Sequence, residues 1–322
     1  MSICVFGSLN LDLVIQTPRL PLPGETLSGK GFQQFPGGKG ANQAVAAARL
    51  GGAVSLVGRV GLDAWGQALL ENLKIHQVDT SGVITDPEQH TGLAFITVAE
   101  DGDNQIVLAA GANGVRDGRT LEHLRSLLPQ TEILLLQLEI PVELVLEAAQ
   151  MAQDAGVTVI LDPAPVPVHF PPRLYGLVDI LTPNRGEASQ LMGMPMDSIA
   201  EAKQGVRELK ARGVNIPLIT LGEEGVVWFS DHVDEPQHSP AFPVTAIDTT
   251  AAGDGFNGAL AVALLQSLSL DEGILWGMAA GALAVQRSGA QTSLASRAEL
   301  EGFLGMENGK WRMENGEWKM GN

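Results

Sequence analysis

The stretch Asp248-Thr-Thr-Ala-Ala-Gly-Asp254-Gly-Phe-Asn-Gly-Ala259 is a polar, glycine-bearing turn that runs straight into an apolar helical pattern at 260–268. The first-turn amides of a helix have no partners inside it and point outward at the positive end of the dipole, so such a turn is built to receive an anion. Gly253 lets the backbone approach a phosphoryl group closely. Asp254 stands where it can take the proton of an attacking hydroxyl while the amides hold the developing charge. That chemistry is phosphoryl transfer to an alcohol. Taken alone, a Gly-Asp pair ahead of a helix is in most cases an ordinary cap in an α/β turn.

Near the other end stands Phe35-Pro-Gly-Gly-Lys39-Gly-Ala-Asn42-Gln-Ala-Val-Ala-Ala-Ala-Arg-Leu-Gly51, which reads as a strand end, a Gly-Gly turn and an alanine-packed helix stopped by glycine. Lys39 and Asn42 fall where turn becomes helix, so their side chains can face a small polar ligand approaching the exposed amides. Together with the opening strand and turn Ile3-Cys-Val-Phe-Gly-Ser-Leu-Asn10-Leu-Asp12 and the Ala-Ala-Gly-Asp turn, this motif resembles the ribokinase family of sugar kinases, the PfkB type, over about residues 3–303. Both family signatures stand at the expected ends of the chain. Within the family, Gly-Gly-Lys-Gly-Ala-Asn-Gln-Ala is similar to the members that act on ribose, whereas fructose-specific members usually carry another residue where Lys39 stands.

The resemblance implies an α/β, ribokinase-like fold, with a central mostly parallel sheet flanked by helices and a small β-sheet lid. It implies ATP-dependent phosphorylation of D-ribose at O5. Deoxyribose, fructose, a sugar phosphate and a nucleoside such as adenosine are the rival acceptors, and a catalytically silent sugar-binding regulator is the rival of another class. Damage at Asp254 or the Ala-Ala-Gly turn would mark that regulator, and both are intact.

Carried over position by position, the family's sugar ligands are Asn10, Asp12, Gly38, Lys39, Gly40, Ala41, Asn42 and Glu139. Asp254 matches the catalytic base, and Ala251, Ala252 and Gly253 supply the anion-hole amides. An ionised carboxylate suits the sugar because it accepts hydrogen bonds from adjacent hydroxyls, and sugars lacking those hydroxyls are rejected. For the nucleotide the matches are Asn184, Glu187 and the segment Thr220, Leu221, Gly222, Glu223, Glu224 and Gly225, with Gly253 and Asp254 at the phosphates. Asn184 and Glu187 form the Asn-x-x-Glu pattern that organises Mg²⁺ and its waters in the family, although Glu187 also suits the first turn of a helix in its own right. Asp248, Thr250, Ala284, Arg287, Gly289 and Ser293 match a K⁺ site in which Arg287 serves through its carbonyl. Met278 replaces a polar residue common beside the nucleotide, and Gly255 replaces a threonine common after the catalytic aspartate.

Composition agrees with these expectations. The chain has 322 residues, 45% of them hydrophobic, enough for a full core. A formal net charge of −17 argues against a nucleic-acid or anionic-membrane partner. The single cysteine, Cys4, lies in an apolar run, which excludes an internal disulfide and reads as core. No apolar run of about 18 residues and no basic-then-apolar leader is present, so the expected compartment is the cytoplasm. The six histidines are scattered without ligand spacing. The Gly-x-Gly-x-x-Gly of a dinucleotide site and the Gly-x-x-x-x-Gly-Lys-Ser/Thr of a P-loop are both absent.

Apolar runs at 133–138, 157–161, 178–181 and 216–221 alternate with helical patterns such as 142–153 and 198–211, which predicts βαβ units and a parallel sheet. Glu139, Asp162, Asn184 and 220–222 then share the carboxyl ends of strands, where ligands gather in such sheets. The runs 91–99 and 105–110, joined by Glu100-Asp-Gly-Asp-Asn104, read as a hairpin, and the proline-broken segment 13–35 reads as two more short strands. In the family these parts, about 13–36 and 90–111, form the lid and a homodimer contact. A domain of 1–305 is thus expected, followed at 306–322 by a seven-residue repeat, Met306-Glu-Asn-Gly-Lys-Trp-Arg then Met313-Glu-Asn-Gly-Glu-Trp-Lys, whose glycines make a helical seam poor and predict disorder.

Overall fold

Short apolar runs bounded by glycine and proline become strands, and longer runs with apolar spacings of three and four become helices. The computed structural model describes residues 2–229 and 235–305 and the backbone of 311–314 and 317–320. From the N-terminus come β1 (Ser2–Phe6), β2 (Asn10–Thr17), β3 (Gly31–Gly37), α1 (Lys39–Arg49), β4 (Val54–Gly61) and α2 (Ala64–Ile75). There follow β5 (Asp79–Asp86), β6 (Gly92–Ala99), β7 (Asn104–Ala109), α3 (Arg119–Leu127), β8 (Thr131–Leu136), α4 (Val142–Asp154) and β9 (Thr158–Leu161). Next are β10 (Ile180–Leu181), α5 (Arg185–Met192), α6 (Ile199–Ala211), β11 (Ile216–Thr220), β12 (Val226–Phe229) and β13 (Pro236–Ser239). The last elements are α7 (Ala252–Leu265), α8 (Leu270–Ala284), α9 (Arg297–Leu304), β14 (Trp311–Glu314) and β15 (Glu317–Met320).

Among the described residues the large sheet has nine strands in the order β13-β12-β11-β10-β9-β8-β1-β4-β5. From β11 to β5 neighbours run parallel, and β12 and β13 extend the edge antiparallel. Period-two alternation sends successive side chains to opposite faces, so each central strand feeds two cores. Ile3, Val5, Ile133, Leu135 and Ile160 pack with α1, α7 and α8 on one face. Cys4, Phe6, Leu134, Leu136 and Leu161 pack with α4 and α6 on the other. Cys4 is core as expected; burial first, and Asp79 second, push its thiol up to about 12, which keeps it an unreactive thiol.

A second sheet, β3-β2-β6-β7, stands above the carboxyl ends of β1 and β4 and is the expected lid. Its pairing is mixed, because β2 lies parallel to β6 while the two outer pairs are antiparallel. Register places Leu13, Ile15, Phe32, Phe95 and Val107 on one face, and Ile15, Phe32, Phe95 and Val107 are exposed there. Asp12 projects from the opposite face.

Three local expectations are corrected. The helix expected from 260 begins at Ala252, inside the polar turn, and its first turns already pack closely on α8, where a Cβ added at Gly277 would stand 2.7 Å from the Phe256 ring. The strand expected over 178–181 is only Ile180–Leu181, since the Asp179 carboxylate turns to accept the Val159 N–H at 2.8 Å. The repeat expected to be disordered pairs, in its described parts, as two antiparallel strands, Trp311–Glu314 with Glu317–Met320. Alternating Trp and Met with charged residues suits a strand, and Asn-Gly, which separates the two strands in the sequence, is the strongest short hairpin signal.

Candidate active site

The polar groups converge where β1, β8 and β9 end and the N-termini of α1 and α7 face each other. Asp254, the third residue of α7, is 4% exposed. Its Oδ2 accepts a hydrogen bond from Asn42 Nδ2 at 2.9 Å and its Oδ1 one from Gln43 Nε2 at 3.2 Å. The same Gln43 nitrogen donates to Asp162 Oδ2 at 3.0 Å, and Gln137 Nε2 donates to Gln43 Oε1 at 2.6 Å. Asn42 is held in turn by Gln291 Nε2 at 3.1 Å, and Gln291 by Asn72 Nδ2 at 2.6 Å. A buried amide network therefore fixes the carboxylate in one orientation. Burial raises the proton affinity of Asp254, against the lowering by Lys39, Asn42 and Gln43, with Glu139 adding to the rise.

Lys39 opens α1 and reaches Asp162 Oδ2 at 3.8 Å. Burial alone would lower its affinity for a proton, but Asp162, Asp254, Glu139 and Glu187 outweigh that and raise it, so the ammonium stays charged. Glu139 Oε2 accepts from Ser8 Oγ at 2.6 Å and from the Lys39 N–H at 3.0 Å, which leaves Oε1 without a hydrogen bond among the described residues. Gly40 is demanded by the fold: a Cβ there would lie 2.6 Å from Ser8 N and 2.7 Å from the Gly7 carbonyl carbon, where α1 crosses the end of β1. The amides of Gly40 and Ala41 are taken by Ser8 Oγ at 3.3 Å and Ser8 O at 2.9 Å, so Ala41 serves packing.

Asp12, on the lid, faces this cluster. Burial first, then Glu139 and Asp254, raise its pKa to about 7. Unfolded, the group titrates near 3.8, so the folded chain holds an extra proton between about pH 4 and 7 and loses stability as pH rises through that window. Asp12→Asn is expected to make that fall shallower. Urea unfolding at pH 5 and pH 7.5 measures it, and an unchanged difference between the two pH values would place Asp12 away from the other carboxylates.

Beyond Asp254 opens a cleft of about 740 Å³, whose walls include Thr220, Gly222, Glu223, Gly225, Ala252 and Gly253. Ala251, the N-cap of α7, has φ 59°, and the Ala252 N–H turns back to Thr249 O at 3.3 Å. Gly253 is exposed to the cleft, and a Cβ there would meet nothing within 4 Å. The fold therefore leaves room for a side chain at this position, and the bare backbone of Gly253 lies open to the cleft. The remaining wall is mostly apolar: Phe242, Pro243, Phe256, Met278 and Val285. Of the expected nucleotide residues, Leu221 is instead buried in the core beside β11, and the Glu224 carboxylate pairs with Arg185.

Asn184 and Glu187 form a capping box on α5: Asn184 Oδ1 accepts from the Glu187 N–H at 2.9 Å, and Glu187 Oε2 from the Asn184 N–H at 2.8 Å. Burial raises the Glu187 proton affinity, opposed by the Asn184 amide and Lys39 and supported by Asp254, so the capping carboxylate also faces the cluster. Asp248 accepts the Thr250 N–H through Oδ1 and the Gly289 N–H through Oδ2, both at 2.9 Å, joining the turn before α7 to the loop after α8. Ser293 Oγ donates to Ala290 O at 2.8 Å; Arg287 directs its guanidinium to Glu299 at 2.5 Å and its N–H to Ala284 O at 3.1 Å. Among the described residues no group of three or more His, Cys, Asp or Glu side chains is arranged to hold a metal. No helix among them is long and apolar enough to cross a membrane.

Sequence reasoning missed Gln43, Gln137, Asn113 and Gln291. Gln43 stood inside the quoted motif, but a glutamine in the second turn of a helix, the fifth residue of α1, carries no signal of its partners.

Comparison with known proteins shows the family and the fold. The family model described as pfkB family carbohydrate kinase matches residues 1–297. A ribokinase of Haemophilus influenzae is 41% identical over 303 residues, covering 94% of this chain and 98% of its own length. One of Bacillus subtilis is 40% identical over 311 residues, covering 94% and 99%. The solved structure of Arabidopsis thaliana ribokinase complexed with ribose and ATP matches with a TM-score of 0.85 at 36% identity, over 94% of this chain and 98% of that one.

Proposed function

The chain belongs to the pfkB family of carbohydrate kinases, and on that premise we propose that it transfers the γ-phosphoryl group of ATP to the O5 hydroxyl of D-ribose, giving D-ribose 5-phosphate and ADP. The observation that carries this reading is the position of Asp254. It is buried with Asp12, Glu139 and Lys39 close by, one residue from Gly253 in the wall of the cleft of about 740 Å³, at the turn where an acceptor hydroxyl and a terminal phosphate would meet.

The protein's part in the reaction follows from these residues. Asn10, Asp12 and Glu139 bind and orient the sugar, with Glu139 Oε1 left open to accept a hydroxyl proton. Asp254 takes the O5 proton as the new O5–P bond forms and the bond to the ADP oxygen breaks. Its Asn42 and Gln43 partners hold it in place for that step. The N–H groups at the start of α7, Gly253 foremost, receive the charge on the transferred phosphoryl group. Lys39 keeps the carboxylates from repelling an incoming anion, and the lid sheet excludes the water that would otherwise accept the phosphoryl group.

Mg²⁺ fits beside Asn184 and Glu187, where the capping bond uses only Oε2 of the Glu187 carboxylate and a hard oxygen donor remains, and its chemistry would be neutralisation of the phosphates. K⁺ fits the loop pair joined by Asp248, whose carbonyls and Ser293 hydroxyl are hard oxygen donors; a cation there would stiffen the turn ahead of α7. The exposed apolar lid face of Ile15, Phe32, Phe95 and Val107 supports a homodimer, checked by sedimentation at two concentrations, with a monomer at both overturning it. A kinase unit at 1–305 carrying the repeat at 306–322, and a place in the cytoplasm, belong to the same reading.

The test is the product: ribose, Mg·ATP and the protein are incubated with and without K⁺, and the phosphorylated sugar is identified by ³¹P and ¹³C NMR. Phosphate on C5 oxygen, formed faster with K⁺, is expected. Phosphate elsewhere, or none, would defeat the assignment.

A further inference from the structure

We propose that Asn113 determines which end of the Asn10 side chain faces the sugar, and is thereby a positioning residue for sugar recognition. The inference rests on the reading of Asn10 as a sugar ligand.

Asn113 is 4% exposed and lies in the short turn Gly111–Gly114, where the chain leaves β7 and returns from the lid to the body. Its amide clasps one backbone residue from both sides. The Leu9 N–H donates to Asn113 Oδ1 at 3.1 Å, and Asn113 Nδ2 donates to Leu9 O at 2.9 Å. A backbone N–H only donates and a carbonyl only accepts, so the Asn113 amide fits this clasp one way round. Its nitrogen has a second proton, and that proton goes to Asn10 Oδ1 at 2.8 Å. The polarity of Leu9 is thereby passed on to Asn10, whose oxygen is engaged and whose Nδ2 donates no hydrogen bond among the described residues. Asn10 itself is 6% exposed.

The sugar needs donors as well as acceptors, and Asn10 supplies one beside the Lys39 ammonium. Asp12, Glu139 and Asp254 are acceptors and take hydroxyl protons, whereas the lone pairs of the same hydroxyls need an N–H. An Asn10 amide turned the other way would offer one more acceptor and leave a hydroxyl oxygen unpaired, at a cost in affinity. The surroundings protect the bond. Gly92, the first residue of β6, lies opposite Asn10 in the lid register, and a Cβ there would stand 2.2 Å from both Asn10 Oδ1 and Asn113 Nδ2. Three junctions between lid and body, at Leu9 and Asn10, at Gly92 and at Asn113, therefore meet at one hydrogen bond.

The test is a double-mutant cycle read as KM for ribose and KM for ATP on the full chain. Asn10→Ala is expected to raise the ribose KM about 10-fold or more, the effect of losing one hydrogen bond to a polar substrate group. Asn113→Asp keeps the shape but only accepts, so Asn10 turns its NH₂ toward it and presents oxygen to the sugar. A rise of similar size in ribose KM is expected, with the KM for ATP within about 2-fold of the parent. In the Asn10→Ala background there is no amide to orient, and Asn113→Asp is expected to add less than about 2-fold. If Asn113→Asp does not fold, Asn113→Ala replaces it in the same cycle. Equal effects of the Asn113 change in both backgrounds, or equal rises in both KM values, would make Asn113 a merely structural residue and overturn the proposal. A normal ribose KM in Asn10→Ala would instead overturn the reading of Asn10 beneath it.

Discussion

Asp254→Asn is expected to lower kcat by about 10²- to 10⁴-fold, the range of a positioned general base, while ribose and ATP still bind. The substitution preserves shape and removes the proton acceptor. It also alters the local hydrogen bonds in a definite way. Asp254 accepts from both Asn42 Nδ2 and Gln43 Nε2, and an asparagine has only one oxygen to offer these two donors. One of the two amides then faces an NH₂ group, so a small rise in ribose KM accompanies the fall in kcat. Isothermal titration with ribose and single-turnover ADP formation separate the effects. Turnover within about 3-fold of the parent would remove Asp254 from the chemistry.

Gln43→Leu is expected to destabilise the folded chain by about 3–5 kcal/mol and to lower turnover as well. Gln43 is fully buried and is the shared donor of two carboxylates, at 3.2 Å to Asp254 and 3.0 Å to Asp162. Burial raises the proton affinity of Asp162, opposed by Lys39, with Glu187, Asp254 and Glu139 reinforcing the rise. Without the amide the two carboxylates lose the group that separates them, and the proton affinity of Asp254 climbs further from the ionised state that the reaction needs. The change also strips Gln137 Nε2 of its acceptor, next to a Gln137 Oε1 that already lacks a partner among the described residues. Urea denaturation at pH 7 measures the loss. A change under about 1 kcal/mol would mean that water replaces the Gln43 amide and that the network is not rigid.

Those two glutamines mark where sequence reading stops. The parallel sheet, the lid strands and the two glycine turns were legible because each follows from local pattern: apolar runs of strand length, proline and glycine breaks, and a polar turn opening a helix. Gln43, Gln137 and Gln291 carry no such pattern, since their partners lie 94 to 249 residues away and a side-chain amide pairs by position in space. Asn113 joins them for the same reason, at a separation of 103 from Asn10. The apolar wall at 241–246 was missed because it adopts no regular element that periodicity could reveal. The pairing of 311–314 with 317–320 has its sequence signal in Asn315-Gly316, but two glycines spoil a helix more visibly than they announce paired strands.

Asn42 shows a subtler limit. Motif resemblance placed it at the sugar, while the structure commits its amide to Asp254 on one side and Gln291 on the other. Its place in the motif is explained as well by holding the Asp254 carboxylate as by touching a sugar, and a motif alone does not distinguish the two.

The measurement that bears most directly on the account is the initial rate of ADP formation from Mg·ATP with K⁺, compared across D-ribose, 2-deoxyribose, fructose, fructose 6-phosphate and adenosine as acceptors. The account predicts the highest kcat/KM with ribose, because the carboxylates and the Asn10 amide are placed to read adjacent hydroxyls and reject an acceptor that lacks one. A preference for any of the other four would contradict it, and tight ribose binding without ADP formation would contradict catalysis itself.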